Sequence, residues 1–220
     1  MKPNISTTRG FRLGLIGLVA LPSLIRTSAD AATISGTNGF GVPVISGAST
    51  TITFDDRPNA SFSSLTVANV TFSGIGGNLR TDNSYPNQYN GRGARYLDNN
   101  VGSTPTIRFD FTTPVAAFAF NWGASDVSWV LRAYDSSNNL IESFNLPVTS
   151  NSNAGNYYGL SNPGMKYATL SSAGGDYVFV DNFTYSQIPE PSAVLMGILG
   201  TTLFLRRRRE PGLSALSSNR

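Results

Sequence analysis

Few residues in this chain can do chemistry, and almost all of those carry oxygen. Histidine and cysteine are both absent. That excludes a Ser-His dyad, a histidine general base, imidazole or thiolate metal sites, a cysteine nucleophile and disulfides. Carboxylates, amides, hydroxyls and aromatic rings remain. In "YVFVDNFTY" (177–185), Asp181 alternates in phase with Tyr177, Phe179, Phe183 and Tyr185. Regular alternation would point its carboxylate at an aromatic face. A buried carboxylate must be neutral, hydrogen-bonded or bound to a cation. Asp55 and Asp56 close an early apolar run, and terminal strands of a sandwich are often neighbours. The sequence therefore predicts a structural Ca²⁺ held by Asp181, by Asp55 or Asp56, and by backbone carbonyls. Oxygen-only ligands suit that ion. The alternatives are a bulge at Asp181 or a carboxylate that caps backbone amides.

A second group is aromatic. The stretch 74–105 has almost no aliphatic residues but holds Tyr85, Tyr89 and Tyr96 beside Asp82, Asn83, Asn87, Gln88, Asn90 and Arg92. Sugars stack their C–H faces on aromatic rings and offer hydroxyls to carboxylates, amides and guanidinium groups. Tyr85, Tyr89, Tyr96, Asp82 and Arg92 are thus candidate glycan-binding residues on a long surface loop. The alternative for these tyrosines is packing that pins the loop. Trp122 and Trp129 lie in strand patterns and read as core.

Enzymatic chemistry has little to work with. A glycosidase needs two positioned carboxylates. Residues 32–188 contain one glutamate, Glu142, inside a strand pattern. The adjacent Asp55 and Asp56 would point to opposite faces of a strand. No nucleophile elbow, phosphate loop or metalloprotease motif is present. A glycan hydrolase is the least favoured reading, and no catalytic residues are assigned.

The chain that must position these groups has 220 residues, 22 glycines, 12 prolines and only 13% charged residues. Its net charge of +3 resides in the tails. Residues 32–188 hold seven Lys/Arg and ten Asp/Glu, a net charge of −3. No basic stripe suits a nucleic acid. Between the tails, short apolar runs alternate with Gly/Asn/Ser/Pro turns: 50–56, 65–72, 106–111, 115–122, 127–135, 140–146, 165–170 and 177–185. In "TIRFDF", Ile107, Phe109 and Phe111 share one face, as in a half-buried strand. "DSSNN" (135–139) reads as a hairpin connection. The predicted fold is all-β, a two-sheet, jelly-roll-like β-sandwich over 32–186.

Both ends carry targeting features. Lys2, Arg9 and Arg12 precede the apolar run Leu13–Ile25, and Ala29 and Ala31 form an A-x-A site. Residues 1–31 thus read as a secretory signal handled by the Sec translocon. Near the other end, Pro189-Glu190-Pro191 leads into an uncharged run at 192–205 and the cluster Arg206, Arg207, Arg208 and Arg209. A helix over 192–205 would span roughly 21 Å, less than a hydrocarbon core of about 30 Å. The arginines can snorkel to the interface and stay cytoplasmic, which puts 32–188 outside.

This tail, 187–209, resembles the PEP-CTERM sorting domain. The resemblance implies processing by an exosortase-type membrane enzyme and a transient single-pass hold in the inner membrane. Release to the cell surface or an extracellular polysaccharide matrix would follow. Residues 210–220 would then form a short cytoplasmic tail. The strand "YVFVDNFTY" in turn resembles the last strand of carbohydrate-binding jelly-roll modules. Together these imply an exported, non-catalytic protein that binds glycan. A structural or adhesive matrix protein without a defined ligand is the alternative.

Overall fold

Two proline-marked corners shape the molecule. The computed structural model describes residues 32–188, Phe40 excepted. Its twelve strands are β1 (Ala32–Thr37), β2 (Ser49–Ile52), β3 (Ala60–Phe62), β4 (Ser64–Val67), β5 (Val70–Ile75), β6 (Leu79–Asp82), β7 (Tyr96–Asp98), β8 (Thr106–Gly123), β9 (Trp129–Tyr134), β10 (Leu140–Leu146), β11 (Asn156–Ser171) and β12 (Phe179–Gln187). All pairings are antiparallel, and no helix occurs among the described residues.

β8 and β11 run through both layers. Their Thr106–Asp110 and Tyr167–Ser171 halves pair with each other. With β9, β10, β5 and β4 they make one layer, in the order β10-β9-β11-β8-β5-β4. Their other halves pair again, at Tyr157–Ser161 and Ala117–Asn121, beside β1 and β12. β2 and β7 both lie on the far side of β12, and β6 and β3 follow β7. β8 turns its corner near Pro114, and β11 shifts register across Asn162-Pro163-Gly164. Proline cannot donate to a ladder, so it marks where regular pairing must break.

The core between the layers is mostly phenylalanine. Phe72 and Phe109 of one layer meet Phe183 of the other at ring-centroid distances of 5.2 and 4.9 Å, and Phe109 meets Phe120 at 5.6 Å. All four are fully buried. Burying such a ring contributes roughly 1.5–3 kcal/mol, so this cluster dominates the packing. Trp122 and Trp129 cap one end, 5.7 Å apart and edge to face. Their indole N–H groups donate to the Pro147 carbonyl and to Asp176. Both tryptophans are core residues, as their strand positions predict.

Several sequence expectations need correction. Residues 65–72 are not one strand but the β4–β5 hairpin. Ala68 and Asn69 both have positive φ, 44° and 70°, the two-residue turn that matches strand twist. The runs 106–111 and 115–122 are one bent strand. The run 165–170 is only the second half of β11, and β1 was not predicted. Residues 74–105 are not simply a long surface loop. They supply β6 and β7 and bury Leu79, Asn90, Arg92, Leu97, Asp98, Asn99 and Thr104. Hydrogen bonds rather than apolar contacts satisfy much of this segment, so hydrophobic patterning overlooks it.

Candidate functional site

The site begins with a bulge in β12. Pairing with β8 runs Phe179↔Gly123, Val180↔Trp122 and Asp181↔Asn121, then shifts before Thr184↔Ala119. Asn182 takes φ 45°. The extra residue breaks the alternation. Val178, Val180, Phe183 and Tyr185 enter the main core, whereas Phe179 does not. Asp181 therefore does not share a face with Phe183, contrary to the regular alternation assumed from the sequence. Both Phe179 and Asp181 lie beneath the segment between β6 and β7.

Four anchors hold that segment down. Asn90, fully buried, donates to the Trp122 carbonyl (2.9 Å) and accepts from the Gly155 and Asn156 amides (2.9 and 3.2 Å). The Arg92 guanidinium donates to the Asn153 side chain and carbonyl, 3.0 Å each, and to the Gly39 carbonyl. The Arg92 amide donates to Asp181 (2.6 Å). Asp55 accepts from the Ala94 and Arg95 amides (2.6 and 2.9 Å).

Asp181 also accepts from the Asn182 amide (2.7 Å). Burial pushes its pKa well above the ordinary carboxylate value; the two amides oppose that shift, and the Asp55 charge adds to it. A carboxyl whose folded-state pKa is raised contributes stability that is full below its unfolded-state pKa. That contribution is lost as pH rises through the folded-state value. The advantage of wild type over Asp181→Asn in melting temperature should therefore be largest in acid and shrink toward neutral pH. Thermal melts from about pH 4 to 8 test this; a constant difference would mean that Asp181 does not titrate.

Beneath the tyrosines lies a charged floor. Arg80 pairs with Asp82 and Asp98, 2.9 Å each, and donates to the Tyr177 hydroxyl. Tyr96 donates to Asp82 (3.0 Å). Burial raises Asp98, with Arg80 opposing. Burial would also raise Asp82, but hydrogen bonds from Ser84 and Tyr96 and the Arg80 charge hold it below the usual range. Burial raises both phenols, Tyr96 and Tyr177, so they stay protonated donors.

Phe179 is the hub of the aromatic group. Tyr96 stacks on it at 4.0 Å, Tyr177 meets it at 4.8 Å, Tyr89 at 5.6 Å and Tyr85 at 6.1 Å. Tyr85 is 38% exposed and Tyr89 half-buried. Their rings, with those of Tyr177 and Phe179, line a cavity of about 170 Å³ beside Asp126, Ser150 and Asn151. A neighbouring cavity of about 220 Å³ lies among Gln88, Tyr89, Asn151 and Asn153. Tyr89 and Asn151 line both, so the two cavities adjoin and together make up the candidate groove. Tyr89, Ala124 and Ser150 on its wall have φ of 51°, 62° and 42°. A left-handed backbone costs a non-glycine residue roughly 1–2 kcal/mol, and such conformations concentrate at binding sites. A larger depression of about 750 Å³ near Thr50, Tyr185 and Gln187 has no charged side chain and only one ring among the described residues. It offers less chemistry.

The sequence candidates separate accordingly. Tyr85 and Tyr89 reach the groove. Tyr96 (1% exposed), Asp82 (5%) and Arg92 (5%) are inside, where they fix the segment in place rather than face a ligand. Asp55 and Asp181 converge on the 91–95 turn, but each accepts backbone amides there. Asp56 instead pairs with Arg57 at the surface (3.0 Å). Among the described residues, no three acidic side chains gather as a metal site. Ala29, Ala31, Pro189, Glu190, Pro191 and Arg206 to Arg209 lie outside the described residues. Asp126, Ser150, Asn151, Asn153, Tyr177 and Phe179 were not predicted for the groove. The polar turn-forming run "TSNSNAGN" (149–156) was the only signal for Ser150, Asn151 and Asn153.

No protein-family model matches the chain, and no curated protein does. Some solved structures resemble it remotely. The enzymatically active domain of bacteriophage CBA120 tailspike protein 4 is 20% identical, with a TM-score of 0.31 over 55% of this chain. The match spans only 20% of that tailspike chain. A mutant family 29 carbohydrate-binding module complexed with mannohexaose is 12% identical, with a TM-score of 0.29 over 72% of this chain and 93% of its own. Another family 29 module is 11% identical, with a TM-score of 0.28 over 72% and 90%. None of these likenesses carries a function to this chain.

Proposed function

We propose that residues 32–188 form a non-catalytic glycan-binding module of jelly-roll type. The observation that carries this reading is the groove itself. Two adjoining cavities share Tyr89 and Asn151 and set the exposed Tyr85 ring and the half-buried Tyr89 ring beside amides and a carboxylate. Rings supply stacking platforms, and Asn and Gln amides both donate and accept, as sugar hydroxyls require. The double substitution Tyr85→Ala/Tyr89→Ala should weaken retention by soluble polysaccharide in affinity gels at least tenfold, about 1.4 kcal/mol. Its far-UV circular dichroism should match wild type. Unchanged retention would remove the groove from the reading. Retention on no polysaccharide would leave the matrix-protein alternative.

The two ends of the sequence support an export route. We propose Sec-dependent export, a transient hold in the inner membrane through 192–205, and exosortase-type processing at Pro189–Pro191. The product would reach the cell surface or polysaccharide matrix. No helix among the described residues is long and apolar enough to cross a membrane. The intact mass of protein recovered outside the cells tests this route. A mass ending near the triplet supports it; a mass retaining Arg206 to Arg209 makes the tail an ordinary anchor. Calcium enters the proposal through Asp55 and Asp181 only. Titration calorimetry without heat, and a melting temperature indifferent to chelator, would remove it.

A further inference from the structure

We infer that the groove selects an uncharged glycan and rejects polyuronates. This rests on the glycan-binding reading and names the class of sugar. Among the described residues, no lysine or arginine lines either cavity. Of the described residues on the wall, Asp126 alone is charged, and it is exposed.

The charges behind the wall do not reverse this. Arg80 touches Tyr177 from below, but it faces two carboxylates, Asp82 and Asp98. Arg92 approaches from the side of Asn153, yet its guanidinium is buried and donates to the carbonyls of Gly39, Gly91 and Asn153. Asp181 lies against its amide. Among the described residues, a uronate carboxylate entering the groove would meet no free cation and one like charge at Asp126. Like charges brought together across a binding surface repel and suppress the wrong partner.

The remaining polar partners are neutral. Gln88, Asn151 and Ser150 present amides and a hydroxyl, which pair with hydroxyls and need no ligand charge; the Asn153 amide is already held by Arg92 and the Asn87 carbonyl. The two cavities together reach the low end of the range of about 300–1,000 Å³ that is typical of small-molecule sites. A short run of sugar units, rather than one, should fill them.

The test is affinity electrophoresis of the 32–188 segment, carried in the full exported chain. Soluble neutral glucan, mannan and galactan are compared with alginate and polygalacturonate at equal mass concentration. Wild type, Tyr85→Ala/Tyr89→Ala and Asp126→Asn are run side by side. The expected result is tyrosine-dependent retention by at least one neutral polymer, with polyuronates at least tenfold weaker. Asp126→Asn should narrow that gap. Tyrosine-dependent retention by a polyuronate that equals or exceeds every neutral polymer overturns the inference while leaving glycan binding intact. Retention by no polymer, or retention indifferent to the tyrosines, overturns the glycan-binding reading and the inference with it.

Discussion

Replacing Gly123 with alanine should dismantle the groove. A Cβ at that position would lie 1.4 Å from the Tyr89 carbonyl oxygen and 2.5 Å from its carbon. Neither atom is the tip of a flexible side chain, so the Tyr89 backbone itself must move. Gly123 is paired to Phe179 in the sheet and has little room to yield. Displacing Tyr89 also pulls the neighbouring Asn90 from the Trp122 carbonyl. Overpacking alone costs roughly 1–3 kcal/mol, and each buried group left unpaired adds about 1–3 kcal/mol. Urea unfolding should show a clearly lower midpoint, and polysaccharide retention should vanish. An unchanged midpoint would mean that the tyrosine segment does not rest on β8.

Asn90→Ala should be comparably severe for a different reason. The side chain removes one buried carbonyl and two amides from the unpaired state. It also holds φ at 64°, a conformation asparagine tolerates better than alanine. We expect a loss of about 4 kcal/mol or more, from three unpaired groups at about 1–3 kcal/mol each and about 1–2 kcal/mol of backbone strain. Asn90→Gly separates the two: it relieves the strain but not the lost bonds, and should recover only the smaller part. If Asn90→Gly matched wild type in chemical denaturation, the hydrogen bonds would not be the anchor.

These two positions show where sequence patterning works and where it stops. Alternation placed Ile107, Phe109 and Phe111 on one face, and all three are core. It placed β10 at 140–146 and the hairpin connection at 135–139. It missed β1, whose "ATISGT" is small, polar and mostly exposed, as suits an edge strand. It also misread Asp181, because one inserted residue at Asn182 reverses the facing of everything beyond it. Above all it misread 74–105. Patterning detects burial by apolar side chains, but Asn90, Arg92, Asn99 and Thr104 are buried by satisfying backbone groups. Tyr85 and Tyr89 were legible because aromatic rings stand out in a polar stretch. Asn151 and Asn153 were not, since only the folded chain brings them beside Tyr89.

The placement of β1 and β12 has a mechanical consequence. β12 is hydrogen-bonded along both flanks, to β8 on one side and to β2 and β7 on the other. A load applied at its Gln187 end must break two ladders at once. Among the described residues β1 is bonded only to β11, so a load at Ala32 can peel a single ladder. Stretched between its ends, the domain is a rope spliced firmly at the C-terminal side and lightly at the other. If cells hold it by the C-terminal side, force enters through the stronger splice, and the tyrosine groove beside β12 keeps its shape under tension.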